Sequence, residues 1–272
     1  SRNRAVRLVR ANQDFLRSLS AWQVVDPPNF FTRFTVEAWV RPASMDSAET
    51  TQVIVERGAL YAFQWTNAVR VNMRLGINTA NRTPFVQYNG AGLFQSVVAS
   101  ASPTRALASN EWAHIAGVYD GTHLTLYVNG EMVRSVASAI LPANGLSTAF
   151  FYPGSTIVGA SQLGPEASFG LFGLAAQAEP VNATRFFDGW IDEVRIWDGA
   201  RGGASIANTM RSKLPRARTD GVAVLQHYFN FDDVPDLNIG WPGGTNETAV
   251  PSTLEVLQGP GLEMHQTLTI WD

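Results

Sequence analysis

The stretch EWAHIAGVYDGTHLTLYVNGEMV, residues 111–133, decides the fold. In its two runs, 112–119 and 124–128, apolar residues recur at alternate positions, which is the pattern of half-buried strands. Asp120-Gly121 and Asn129-Gly130 follow the two runs, and these residue types tolerate the positive φ angles of tight turns. The stretch therefore predicts a β-meander, in which consecutive antiparallel strands are joined by short turns.

The same alternation continues on both sides of this stretch. In residues 69–77 every odd position is apolar, and every even position is polar or glycine. Further runs of this kind lie at 34–40, 52–57, 61–65, 85–88, 190–197 and 222–231. A chain built from so many alternating runs is predicted to be all-β.

One segment has a helical period instead. Ile206, Met210 and Leu214 recur at every fourth position behind Ser205, a residue type that caps helix N-termini. We therefore predict a single short helix that begins at Ser205. Residues 159–185 and 232–253 show no clean period and are rich in Gly, Ala, Phe or Pro, so they are predicted to be long loops.

Composition sets the class of protein. The chain has 272 residues, 45% hydrophobic and 16% charged, which supports a packed core and excludes an intrinsically disordered chain. It contains no Cys, which excludes disulfides, thiolate metal sites and cysteine nucleophiles. The net charge of −3, without a basic face rich in aromatics, argues against a nucleic-acid partner. No apolar run approaches the ~18 residues of a membrane span, so membrane insertion is not predicted.

Several segments together resemble a known family. They are FTVEAWVRP (Phe34–Pro42), the stretch 111–133, FFDGWIDEVRIWDGA (186–200) and the opening LVRANQDFLRS (8–18). In this order they resemble the laminin-G-like, concanavalin A-like jelly-roll domains of the laminin G 3 type, over roughly residues 5–215. The resemblance implies an antiparallel two-sheet jelly-roll β-sandwich, which agrees with the alternating periodicity and the one short helix.

The resemblance also suggests a division of the chain. Residues 1–215 would form the jelly-roll domain, and 216–272 a C-terminal extension of a strand and irregular loops. Within that extension, residues 221–233 resemble a strand that often lies between such modules or ahead of one. Because it follows the module here, two alternatives stay open: it folds back as an edge strand of its own sandwich, or it pairs with a neighbouring copy.

Catalytic motifs are not evident. Glycoside hydrolysis needs two carboxylates placed across the scissile bond, and the chain has no run of alternating acidic residues that would place them. The nearest candidates are Glu37, Glu56 and the pair Asp192-Glu193. The sequence also lacks a nucleophile elbow and a Walker lysine, and its four histidines are scattered. We therefore expect a protein that is not an enzyme.

Calcium is the cofactor that the family resemblance implies. In such domains the Asp of the segment IDEVRIW commonly helps to hold a structural calcium ion, and Asp192 has that position here. Asp14, from the opening motif, would be a second and weaker ligand. Carboxylate and carbonyl oxygens suit this hard cation, and a buried Asp bonded to backbone amides is the alternative for each residue.

Sugar binding would use aromatic rings at strand ends or loop rims, stacked on pyranose faces. Tyr61, Trp65, Tyr88 and Trp241 lie at such positions and are the predicted ligand-binding residues, with core packing as the alternative for each.

The sequence as a whole favours a non-catalytic extracellular or cell-surface module that binds a glycan or a cell-surface protein and carries a structural calcium. One alternative is a structural surface or filament subunit that self-assembles through its terminal segments. A further alternative is a polysaccharide-active enzyme that uses Glu37 or Glu193.

Overall fold

The computed structural model describes most of the chain. The described residues are 4–18, 31–45, 48–63, 66–90, 95–142, 151–162, 183–212, 214, 221, 223–231, 238–239, 252–257 and 268–270.

Strands dominate these residues, as the alternating pattern predicts. The strands are β1 (Arg4–Leu8), β2 (Phe15–Ser18), β3 (Phe34–Pro42), β4 (Thr51–Phe63), β5 (Thr66–Asn78), β6 (Pro84–Asn89), β7 (Ser96–Ser100), β8 (Ala113–Tyr119), β9 (His123–Val128), β10 (Glu131–Ala137), β11 (Phe151–Val158), β12 (Ser161–Gln162), β13 (Ala183–Thr184), β14 (Gly189–Asp198), β15 (Val224–Phe229), β16 (Asn238–Ile239), β17 (Ser252–Leu257) and β18 (Leu268–Ile270). The helix is α1 (Gly203–Thr209), and short 3-10 helices lie at Arg10–Asn12 and Pro103–Arg105.

Two antiparallel sheets hold nearly all of these strands. The first sheet has the order β10-β9-β8-β3-β14-β1-β18, and β15 also pairs with β14. The second sheet has the order β16-β17-β2-β11-β4-β5-β6-β7. The predicted meander is confirmed, because β8, β9 and β10 are neighbours in the first sheet. This arrangement confirms the all-β, two-sheet sandwich with one short helix.

The main core lies between the two sheets. Alternate residues of β3, such as Val36 and Ala38, face it from the first sheet, and Leu75 and Val86 face it from the second. All four side chains are at most 1% exposed. Burial of these alternating apolar faces is the main force that holds the two sheets together.

The two sheets lie close together at Gly117 in β8. A Cβ atom placed on Gly117 would lie 2.2 Å from a side-chain methyl carbon of Val86 in β6. A distance of that size is well inside van der Waals contact, so only a residue without a side chain fits at this crossing of the sheets.

Strands of the predicted C-terminal extension pair with strands of residues 1–215. β15 pairs with β14, β17 with β2 and β18 with β1, all antiparallel. Within residues 221–233, β15 pairs with β14 of its own sandwich. This is the expected outcome for an apolar strand whose backbone groups need partners.

The helix begins earlier than the sequence predicts. α1 spans Gly203–Thr209, its N-cap is Gly202 rather than Ser205, and Leu214 lies beyond its end. The backbone carbonyl of Ser205 instead accepts hydrogen bonds from the side chains of Thr209 and Arg201, which fixes it inside the helix. In the part of the chain that the structure describes, no helix has the length and apolarity that crossing a bilayer requires.

Candidate functional site

A buried charge network lies on the side of the first sheet that faces away from the core. Its centre is Glu37 of β3, whose Oε1 accepts hydrogen bonds from Arg201 Nη1 at 2.6 Å and from the indole of Trp197 at 2.8 Å. Glu37 Oε2 lies 3.3 Å from Nε2 of His114 in β8, and Arg195 Nη1 of β14 lies 3.9 Å from Oε1. These five side chains are buried.

A second carboxylate extends this network. Arg195 donates to Glu193 Oε2, and the hydroxyl of Tyr228 in β15 donates to the same oxygen at 2.7 Å. The guanidinium of Arg195 also donates to the backbone carbonyls of Thr209 and Ser212, at the end of α1 and just beyond it. These hydrogen bonds hold the C-terminal end of α1 against the network, which explains why the helix lies on this face of the sheet.

The charges around Glu37 set its pKa. Burial alone would favour the neutral acid, but the hydrogen bond and charge of His114 and the charges of Arg201 and Arg195 outweigh it. Together they lower the pKa of Glu37 from 4.5 to about 2. Glu37 is therefore a structural anion that is ionised at neutral pH.

Asp192 and Asp14, the predicted calcium ligands, each accept a hydrogen bond from a nearby backbone amide. Asp192 Oδ1 accepts the backbone N–H of Glu193 at 2.7 Å, and Asp14 Oδ2 accepts that of Val9 at 3.0 Å. Burial raises the pKa of Asp14 more than its hydrogen bonds and the charge of Arg7 lower it. Among the described residues, no three His, Cys, Asp or Glu side chains are grouped as a metal would need. Both aspartates thus accept backbone N–H groups, and their role as calcium ligands stays a prediction.

Of the four aromatic residues predicted to bind sugar, only Tyr88 has a described side chain. Its prediction as a surface ring is corrected by its position in the core, with 0% exposure. The ring packs 4.7 Å from that of Tyr119 in β8, and the hydroxyl donates to the carbonyl of Ile140 at 2.6 Å. The carbonyl that accepts this bond satisfies the hydroxyl and allows the ring to lie inward. Trp65, Trp241 and the side chain of Tyr61 lie outside the described residues.

The outward side of the second sheet carries a different arrangement. Glu56 of β4 and Arg74 of β5 are cross-strand partners, and Arg74 Nε donates to Glu56 Oε2 at 2.6 Å. Ser161 of β12 lies over this pair, accepting from Arg74 Nη2 and donating to Glu56 Oε2, both at 2.8 Å. All three side chains are buried. A satisfied ion pair of this kind is a rigid base for the polar groups beside it.

From this base, hydrogen bonds continue outward across two more strands. Arg74 Nη1 contacts Oε1 of Gln87 in β6 at 3.4 Å, and Gln87 Nε2 donates to the hydroxyl of Ser96 in β7 at 2.8 Å. Gln87 is half-buried and Ser96 is exposed. Val98, the cross-strand partner of Gln87, is 43% exposed. We call the surface formed by Arg74, Gln87, Ser96 and Val98 the polar face.

The sequence contained a signal for the polar face that the search for aromatic rings missed. The alternation in β6 places Gln87 and Asn89 opposite the buried Val86 and Tyr88. The same alternation places Ser96 and Val98 outward in β7. The pairing of β6 with β7 then brings these outward residues together, and that pairing is a property of the fold rather than of either strand.

Similar folds occur among solved structures. A candidate carbohydrate-binding protein from Bacteroides ovatus matches with a TM-score of 0.56 at 18% identity, over 100% of this chain and 60% of that one. The CBM40 of the Ruminococcus gnavus IT-sialidase, bound to α2,3-sialyllactose, matches with a TM-score of 0.52 at 9% identity, over 76% and 97% of the two chains. At these identities the likeness shows the fold alone. This chain spans less than two thirds of the length of the Bacteroides protein.

Comparison with families gives a more specific result. No curated protein matches this chain. The model of the laminin G 3 family, described as the concanavalin A-like lectin/glucanases superfamily, matches residues 20–207. That range contains the meander, the five side chains around Glu37 and the polar face, and it covers more than half of the chain. This chain belongs to the laminin G 3 family of the concanavalin A-like lectin/glucanases superfamily.

Proposed function

We propose that this protein is a non-catalytic module that recognises a glycan through the polar face, outside the cell or at its surface. The observation that carries the proposal is the hydrogen-bonded row Arg74–Gln87–Ser96, which runs across three adjacent strands from a buried ion pair to an exposed hydroxyl. Sugar hydroxyls donate and accept hydrogen bonds at close spacing, and an amide beside a hydroxyl offers both functions.

The polar face is preorganised for this role. Strand residues hold their side chains more rigidly than loop residues do. Arg74, itself held by Glu56, contacts the amide oxygen of Gln87 and so limits the movement of that side chain. Val98 adds an exposed apolar side chain opposite Gln87, which suits the C–H surface of a pyranose ring. A site whose groups need not rearrange loses less entropy when it binds.

The positions of the acidic side chains support a role without catalysis. Glycosidases place two carboxyl groups about 5 to 9.5 Å apart across a substrate that reaches both. Of the carboxylates considered as candidates, Glu37, Glu56 and Glu193 are buried, and each is held in an ion pair with arginine. A carboxylate that is buried and ion-paired in this way has a structural role.

The comparisons support a glycan as the ligand. One similar structure is described as a candidate carbohydrate-binding protein, and another is a carbohydrate-binding module seen with sialyllactose. The described strands of the C-terminal extension pair within the protein's own sheets, and β16 and β18 form sheet edges there. A glycan is therefore the ligand that we propose first, ahead of a cell-surface protein.

A glycan array tests the proposal. Wild-type protein is applied once with millimolar calcium and once with chelator, and the variants Ser96→Ala and Gln87→Ala are applied with it. We expect each variant to lose about tenfold in affinity, which corresponds to about 1.4 kcal/mol for one lost hydrogen bond to a ligand. Ser135→Ala is the matched control, because Ser135 makes a similar cross-strand bond to Thr125 in the first sheet.

Each outcome of the array has a definite meaning. Selective binding that falls in Ser96→Ala and Gln87→Ala but not in Ser135→Ala supports the polar face as the site. Selective binding that all three variants retain places the site elsewhere and refutes this part of the proposal. A blank array favours a protein ligand. The calcium requirement stays a prediction, and loss of binding with chelator is the result that would support it.

A further inference from the structure

The backbone of Arg185 lies near the buried Glu56–Arg74 pair, because the preceding Thr184 is the cross-strand partner of Ser161, which bonds to both members of that pair. Arg185 follows β13, its N–H donates to Glu49 Oε1 at 2.7 Å, and its carbonyl accepts the N–H of Val53 at 2.9 Å. Its φ is 56°, in the left-handed region that a residue with a side chain rarely adopts. These backbone contacts, together with the pairing of Thr184 and Ser161, fix the Cα atom of Arg185 near the buried Glu56–Arg74 pair.

The guanidinium of Arg185 differs from that of Arg74 in how it is satisfied. The N–H groups of Arg74 donate to Glu56, Ser161 and Gln87. Within the residues that the structure describes, no hydrogen bond or ion pair holds the side chain of Arg185. Burial and the charge of Arg74 lower the pKa of Arg185 more than the carboxylates Glu56 and Glu49 raise it.

Such a group favours an anion. A half-buried cation beside a second cation has lost part of its hydration and is repelled by its neighbour, and a negative charge relieves both effects. The planar guanidinium presents two parallel N–H groups that match the two oxygens of a carboxylate. Glycans supply this chemistry through sialic acids and through uronic acids.

We infer that the polar face selects a sugar that carries a carboxylate, with Arg185 binding the carboxylate while Gln87 and Ser96 bind hydroxyls. This inference rests on the proposed function, since it names the class of glycan for the same site. Arg74 lies between these contacts and serves as a positioning residue, because its donors are already used within the protein.

The test compares glycans that differ in the carboxylate. Titration calorimetry of the full chain uses 3′-sialyllactose against lactose, and oligogalacturonate against its methyl ester, so the two arms separate sialic from uronic acids. We expect the wild type to bind at least one acidic glycan about tenfold more tightly than its neutral counterpart, and Arg185→Gln to abolish that preference. Arg185→Lys keeps the charge without the two-pronged geometry, and we expect it to retain part of the preference.

Arg134→Gln is the matched control, because it also removes one arginine charge, from an exposed position on β10 of the first sheet. We expect it to leave the preference for the acidic glycan unchanged. Equal affinity of the wild type for acidic and neutral forms, or an unchanged preference in both Arg185 variants, would overturn the inference. Binding of neutral glycans alone overturns the acidic selectivity and leaves the proposed function standing, whereas no binding to any glycan overturns both.

Discussion

The substitution Glu37→Gln tests whether the buried charge network stabilises the fold. Glutamine keeps the size of the side chain but leaves Arg201 and Arg195 without the negative charge that lies 2.6 and 3.9 Å from them. Removing one partner of a buried ion pair costs about 3 to 5 kcal/mol of unfolding free energy, because the other charge stays buried. The lowering of the pKa of Glu37 from 4.5 to about 2 independently corresponds to roughly 3 kcal/mol.

Urea unfolding followed by tryptophan fluorescence measures this loss, with Trp197 as a reporter that itself donates to Glu37. The control is Glu131→Gln, whose partner is Arg105; their side chains are 67% and 54% exposed, so we expect a loss below about 1 kcal/mol. A loss in Glu37→Gln no larger than in this control would refute the reasoning.

The same variant has a pH signature. Because the pKa of Glu37 is lower in the folded state than the unfolded value of 4.5, its stabilising contribution is complete above that pH and is lost as pH falls towards about 2. The difference in stability between wild type and Glu37→Gln should therefore narrow over this acidic range. A difference that stays constant down to the lower end of the range would show that the network acts through shape and not through charge.

Two further predictions concern the close contact of the sheets at Gly117 and the protonation of the buried His227. Gly117→Ala should lower the unfolding free energy by about 1 to 3 kcal/mol, because its new methyl group meets Val86. Gly202→Ala has no atom within 4 Å of the added carbon, so in the same urea titration it should cost less, about 0.5 kcal/mol for the loss of glycine at the N-cap of α1. Burial and the charge of Arg57 hold the pKa of His227 well below 6.5, so the unfolded state binds the proton more readily and stability should fall as pH drops below 6.5. His227→Gln should flatten that fall, and an unchanged slope between about pH 7 and about pH 5 would contradict this origin.

The strands were predictable from the sequence because their signals are local. The apolar alternation of residues 69–77 lies within β5, and the Asp120-Gly121 and Asn129-Gly130 pairs mark the turns of the meander as predicted. Side-chain period and turn chemistry each depend on a few neighbouring residues, so a single sequence is enough to show them.

The candidate site was harder to predict because its contacts cross the chain. Glu37 meets Arg201, and Arg74 meets Ser161, through pairings that only the assembled sheets create. A carboxylate in an apolar strand has the same local pattern whether it serves catalysis or structure. The inward position of Tyr88 depends on the carbonyl of Ile140, more than fifty positions away, and no pattern around Tyr88 indicates that partner.

The pairing of β1 sets the order in which this protein can complete its fold during synthesis. β1 comes near the start of the chain, and its neighbours in the first sheet are β14 and β18, which are made much later. Until those strands leave the ribosome, β1 has no sheet partner, whereas the β8–β10 meander can pair as soon as it emerges. Non-local pairing of this kind slows folding and leaves strand edges open to other chains. The first sheet can therefore close around β1 only after β14 has been made.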